Sequence, residues 1–225
     1  MSGNVELKAG TSSWTAGVRK GLPLFVPTFL LAVSFGVLAA PQLGGAAAVV
    51  MSALVWAGGA QFAALGMVQA GGTVAAATLA GLLVNTRFLL MGLAVAPSLR
   101  GGALQRAVEA QTLVDASFAL SAKEGGRFDR GILLGSALPQ YVGWTTGTLA
   151  GVLAGQSVHD IGRFGLDAVF PAFYLVLLLG ELRERRAVAV AVLAAVVTLL
   201  LMPFAPPGLP VLAAAPAALL GLRRG

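Results

Sequence analysis

GLPLFVPTFLLAVSFGVLAAPQLGGAAAVVMSALVWAGGAQFAALGMVQAGGTVAAATLAGLLVNT, residues 21–86, holds no ionisable side chain, and the first charge after it is Arg87. Twelve further uncharged residues separate Arg87 from Arg100. At about 1.5 Å of rise per helical residue, such a stretch is long enough to cross a hydrocarbon core of roughly 30 Å more than once. An arginine placed there costs on the order of a few kcal/mol unless it meets a partner or a wet cavity. Arg87 is therefore the first residue that needs a functional explanation.

Composition points the same way. Mean hydropathy is +0.87, 57% of the 225 residues are hydrophobic and 11% are charged, too few to cover the surface of a soluble domain. The apolar runs are continuous rather than alternating, which argues against a membrane β-barrel. Thirty Gly fit helices that approach closely through small residues. The absence of Cys excludes disulfides and thiolate metal sites. The net charge of +6 comes from Lys and Arg in short loops between apolar runs, where orientation signals belong, so no nucleic-acid partner is expected. The partner implied is the lipid bilayer. The polar first 18 residues lack the pattern of a cleavable signal peptide and read as a cytoplasmic N-terminal segment. The fold class expected is an all-α polytopic membrane protein.

Apolar runs predict spans near 21–40, 46–70, 73–98, 131–155, 159–181, 187–204 and 208–222. Segment 104–122 is amphipathic, carries Glu109 and Asp115, and reads either as a crossing or as a re-entrant segment. With that segment crossing, eleven cations fall on the cytoplasmic side: Lys8, Arg19, Lys20, Lys123, Arg127, Arg130, Arg183, Arg185, Arg186, Arg223 and Arg224. The preferred reading is seven to eight transmembrane segments, eight if 104–122 crosses, with both termini cytoplasmic. Residues 19–225 then form a single transporter domain, with repeat one over about 21–99, a connecting segment 100–130 and repeat two over about 131–222. The repeat is weak. A shift of 111 places Gly36, Leu38 and Ala39 on Gly147, Leu149 and Ala150, and Ala57 and Phe62 on Ala168 and Phe173. Repeated, discontinuous membrane folds are characteristic of transporters.

Three motifs carry candidate chemistry. Gly58 and Gly59 loosen a helix and expose backbone, and Gln61 adds a donor and an acceptor; close helix packing explains them equally well. At the matching place in the second copy, Asp167 precedes Pro171, which removes a backbone donor and frees a carbonyl. Asn85 and Arg87 lie inside the third span, where the Arg fork suits a carboxylate: a substrate's, or that of Asp115 or Asp167. Substrate-binding candidates are thus Gly58, Gly59, Gln61, Asn85, Arg87 and Pro171. Asp115 and Asp167 are candidates for an ion pair or for proton coupling. His159, the only His, reads as a loop residue, and no metal or cofactor is expected. Motifs of an intramembrane protease or a phosphate-cradling loop are missing, so no enzymatic activity is expected.

At these residues the chain resembles the AzlC family, the large subunits of branched-chain amino acid exporters. The resemblance rests on Gly21-Leu-Pro23, Ser34-Phe-Gly36, Ala57-Gly-Gly-Ala-Gln61-Phe62, Asn85-Thr-Arg87 and Val114-Asp115-Ala-Ser-Phe118. Gly143-Trp144 before Gly147 and Leu166-Asp167 followed by Pro171-Ala-Phe173 extend it across nearly the whole chain. It implies export of valine, leucine, isoleucine or other apolar amino acids across the cytoplasmic inner membrane, with a small membrane subunit of AzlD type. Two positions depart from the family's pattern: Phe88 stands where a His usually follows the Arg, and Ala116 replaces the second acid after Asp115. A non-transporting membrane scaffold, whose buried polar residues only specify helix packing, is the alternative.

Overall fold

The computed structural model describes residues 2–155, 175, 178–179, 182, 185–205, 209–214 and 216. Helices α1 (Ser2–Leu43), α2 (Gly45–Leu54), α3 (Gly58–Gln69), α4 (Val74–Asn85), α5 (Arg87–Val95), α6 (Ala103–Ala110), α7 (Asp115–Ser121) and α8 (Arg130–Gly155) follow in order. A short hairpin of β1 (Ala122–Lys123) and β2 (Arg127–Phe128) joins α7 to α8, and α9 (Arg185–Leu201) and α10 (Leu209–Ala214) come last. The chain forms two units, Met1–Gln61 with Asn85–Val158, and Phe62–Val84 with His159–Gly225.

The first unit is organised by α1 against α8. Glycines recur every fourth residue along α8, at Gly131, Gly135, Gly143, Gly147, Gly151 and Gly155, with Pro139 in the remaining place. Such a row forms one smooth face on a helix and lets a neighbouring backbone lie directly against it. A methyl group on Gly135 would strike the Trp14 carbonyl, on Gly147 that of Phe29, and on Gly151 that of Val33. From the other side, a Cβ on Gly17 would lie 2.8 Å from Ile132 Cα, and one on Gly21 would lie 2.5 Å from the Ser136 carbonyl oxygen. Partner numbers rise together, so α1 and α8 run parallel. Helix α1 starts at Ser2 and runs without interruption into the first expected span.

Segment 100–122 returns to the end it leaves. The Arg100 amide and Arg130 Nε approach the same Glu109 oxygen, at 3.5 and 2.9 Å. At the far end, the Asp129 amide donates to the Ser121 carbonyl at 2.8 Å. Val95, Leu113 and Leu133 bury one cluster, with Leu99, Phe118 and Phe128 packed on it. Both ends therefore lie at the first turn of α8, whereas a crossing would hold them roughly 30 Å apart. The expected crossing at 104–122 is corrected to a re-entrant pair, α6 and α7, whose helices are only 8 and 7 residues long.

This correction reaches further. Gly45 sits beside Val152 near the C-terminal end of α8, while Val95 sits beside Leu133 near its N-terminal end. Residues 45–95 thus carry the chain once, net, from one end of α8 to the other. Two full crossings at 46–70 and 73–98 would return it to the end it left, so the predicted spans there do not both cross. Among the described residues one helix, Ser13–Leu43, is long and apolar enough to span a membrane, and the bent pair Val74–Asn85 and Arg87–Ser98 makes a second only if it is counted as one span rather than as a re-entrant loop.

The second unit has its own small core, in which Met67, Ala77 and Ala80 pack with Ala63, Ala64 and Val68. Helix α3 stops where Gly71 adopts φ 76° and the Gly72 amide returns to the Met67 carbonyl at 2.8 Å, a left-handed cap that glycine makes without strain. Asp167, Pro171 and His159 lie outside the described residues, and with them the part of the second repeat from 156 to 174.

Candidate functional site

Two helix breaks in the first unit hold polar groups, and their hydrogen-bond accounts differ. The first, Val55–Ala57, precedes Gly58; Trp56 there takes φ 39°, a left-handed conformation that a bulky residue enters only under constraint. Breaking a helix frees carbonyls, which must find donors inside an apolar environment. Tyr141 Oη donates to the Ala53 carbonyl at 3.1 Å, and Gln111 Nε2 donates to those of Leu54 and Val55 at 2.8 and 3.3 Å. The Trp56 ring meets that of Tyr141 edge-on, with centroids 5.3 Å apart.

Behind this break lies a buried polar chain. Gln61 Nε2 donates to Ser52 Oγ at 3.0 Å, Ser52 Oγ shares a hydrogen with Thr148 Oγ1 at 2.8 Å, and Trp144 Nε1 donates to Gln61 Oε1 at 2.9 Å. Gln61, Ser52 and Thr148 are fully buried. Gly58 lies against the indole, where a Cβ would sit 2.7 Å from Trp144 Cη2. The structure thus brings Gly58 and Gln61 together with Trp144, with both ends of the Gln61 amide engaged. Gly59 is buried beside them.

The second break, at Thr86, bends the chain by 42° between α4 and α5. Asn85 ends one helix and Arg87 opens the next. Arg87 Nη2 lies 2.9 Å from Asp115 Oδ2, so of the two acidic candidates it is Asp115 that the described residues pair with Arg87. Phe88 sits beneath the guanidinium, 5.1 Å from ring centroid to Cζ, a favourable cation–π distance. Arg87 lies two turns from Val95, hence about 12 Å from that end of α5. The pair is not enclosed in the single chain: the side chains of Arg87 and Asp115 are 37% and 58% exposed. Among the described residues the buried Asn85 Oδ1, Arg87 Nε and Thr145 Oγ1 have no hydrogen-bond partner.

Asp115 is positioned by its own segment. Val114 is extended at the start of α7, its amide donates to Ser117 Oγ at 3.0 Å, and Ser117 Oγ donates to the Thr112 carbonyl at 2.8 Å. At the other end Glu109 holds Arg130 through both carboxylate oxygens, with Gln105 Nε2 at 3.1 Å. Beyond it, Asp129 caps α8 by accepting from the Ile132 amide at 3.1 Å and pairs with Lys123 at 2.7 Å. Burial pushes the Asp129 carboxyl up, but Lys123, the Ile132 amide and the Ser13 hydroxyl outweigh it and hold it below the ordinary range. Sequence reasoning missed Ser52, Gln111, Trp144, Thr148 and the Glu109–Arg130 pair as structural partners. Glu109 carried a signal as an acid in an amphipathic segment, and Trp144 as one residue of a family motif.

Among known proteins, the AzlC protein family matches residues 23–158. Inner membrane protein YgaZ of Escherichia coli (strain K12) is 26% identical over 196 residues, covering 80% of this chain and 78% of that protein. A protein of Archaeoglobus fulgidus, named an uncharacterized membrane protein, is 32% identical over 186 residues, covering 77% and 80%. No solved structure matches. Similarity to two membrane proteins over most of the chain, with the helical architecture, makes this a helical membrane protein, and the family gives it a role related to membrane transport. The chain belongs to the AzlC family.

Proposed function

We propose that the protein is a secondary transporter exporting branched-chain or other apolar amino acids across the cytoplasmic membrane, with Asn85 and Arg87 holding the charged end of the substrate. The observation that carries this reading is the pair of buried polar atoms flanking Thr86 that have no partner among the described residues: an acceptor, Asn85 Oδ1, and a donor, Arg87 Nε. An amino acid zwitterion brings the complement of each, an ammonium for the amide oxygen and a carboxylate for the guanidinium. Gly58, Gly59 and Gln61 then support the site by holding the neighbouring break, and Pro171 and Asp167 stay candidates on sequence grounds. A small AzlD-type subunit completes the transporter. Positive charge at the N-terminal end of α8, from Arg19, Lys20, Arg100, Arg106, Lys123, Arg127 and Arg130, supports placing that end and the N-terminus in the cytoplasm, and Arg223 and Arg224 support the same for the C-terminus on sequence grounds.

An exporter-deficient bacterium challenged with a valine-containing dipeptide tests the proposal. The protein with its partner subunit should restore growth, and Arg87→Lys should abolish rescue while leaving thermal stability in detergent unchanged. Asn85→Ala should weaken apparent substrate affinity about tenfold, the worth of one hydrogen bond to a charged group. No rescue by the intact pair refutes export. The scaffold alternative is favoured by the satisfied Gln61 chain, and it predicts instead that Arg87→Lys lowers stability.

A further inference from the structure

The re-entrant segment carries two arginine–carboxylate pairs of opposite build. Arg130 grips Glu109 with the Nε–Nη2 edge of its guanidinium, one nitrogen to each carboxylate oxygen, and the Glu109 side chain is 7% exposed. Two further donors, Gln105 Nε2 and the Arg100 amide, approach the same carboxylate. Arg87 meets Asp115 through Nη2 alone: among the described residues its Nε is buried and unpaired, and Asp115 is 58% exposed. A bidentate pair is the stronger form. A free carboxylate that took the whole edge would gain one charge-assisted hydrogen bond over Asp115, while the released Asp115 already stands largely open to its surroundings.

We infer that Asp115 is a resident carboxylate occupying the anion position on Arg87, and that a ligand carboxylate enters by displacing it; this rests on the reading of Arg87 as the substrate-carboxylate residue. Glu109 stays bound to Arg130 throughout and anchors α6, so the exchange frees the first turn of α7 alone. Asp115 is thus a positioning residue whose loss tightens binding rather than weakening it.

The test measures leucine and leucinamide binding to the purified full chain together with its small partner subunit, in the intact protein and in Asp115→Asn, with Asp115→Ala as the second variant. Leucine should bind about tenfold tighter to the variants, the value of removing a competitor worth one charge-assisted bond, and leucinamide, which has no carboxylate, should be unchanged. Unchanged or weaker leucine binding overturns the exchange, as does equal tightening of both ligands, which is what a loosened structure gives. Absence of leucine binding to the intact protein sinks the underlying transporter reading instead. A readout without change at Asp115 uses the cysteine-free background: in Ala116→Cys, leucine should accelerate labelling by a water-soluble maleimide and leucinamide should not. Equal rates with both ligands overturn the inference.

Discussion

Gln61 and Asn85 are both amides inside apolar helices, and their surroundings give them opposite meanings. Gln61 has its oxygen on Trp144 and its nitrogen on Ser52, so it ties the break before Gly58 to α8. Asn85 has a buried oxygen with no partner among the described residues, so on the proposed reading it is the one that meets substrate. Trp144→Phe should leave Gln61 Oε1 buried without its donor and lower stability by about 1–3 kcal/mol, read as a fall in the thermal midpoint in detergent. Gly58→Ala should cost a similar amount, about 1–3 kcal/mol, because the new methyl displaces the indole that Gln61 needs. Arg87 was legible in the sequence since one charge amid apolar residues stands out by itself. The donors for the first break were not. Gln111 and Tyr141 lie 57 and 88 positions from the carbonyls they serve, and nothing local in Leu54 or Ala53 names them.

Helix pairing was legible only as a tendency. The glycine content implied close approach, but the face that approaches is set by the four-residue spacing along α8 and by where α1 presents its carbonyls. Gly151→Ala drives a methyl into the Val33 carbonyl and should destabilise by about 1–3 kcal/mol, since the backbones must separate. Gly92→Ala makes a sharp control. A Cβ there meets nothing within 4 Å, so the same substitution in the α5 interior should stabilise by about 0.5–1 kcal/mol. Opposite shifts in thermal midpoint are the expected result, and equal shifts would remove the ridge from the account. The start of α8 has a separate electrostatic signature. Asp129 is held below its ordinary pKa, so its contribution is complete above the unfolded value of about 4 and fades as pH falls through the folded one. Asp129→Asn keeps the cap acceptor and loses the Lys123 pair. The stability gap between wild type and this variant, measured by unfolding at a series of pH values, should therefore be constant near neutrality and shrink below about pH 4.

For the whole molecule, the charge pattern was readable and its consequence was not. Counting 46–70 and 73–98 as two crossings places Arg100 and Arg106 outside, and a third crossing at 104–122 is then needed to bring Lys123 and Arg127 back. Because residues 45–95 make one net passage, all four lie at the same end of α8 and the positive-inside rule holds with no such crossing. Hydropathy could not separate these cases, since a broken helix that turns back and one that continues across have the same composition. Single cysteines in the cysteine-free chain decide between them. Gln42→Cys marks the end of α1 at the C-terminal side of α8, Leu104→Cys, at a side chain 80% exposed, marks the start of α6, and Glu124→Cys marks the hairpin before α8. In whole cells a membrane-impermeant maleimide should label position 42, and positions 104 and 124 only after the membrane is opened. If 104–122 crosses, position 104 labels with 42 instead of with 124, and the parity drawn from the parallel packing of α1 on α8 is wrong.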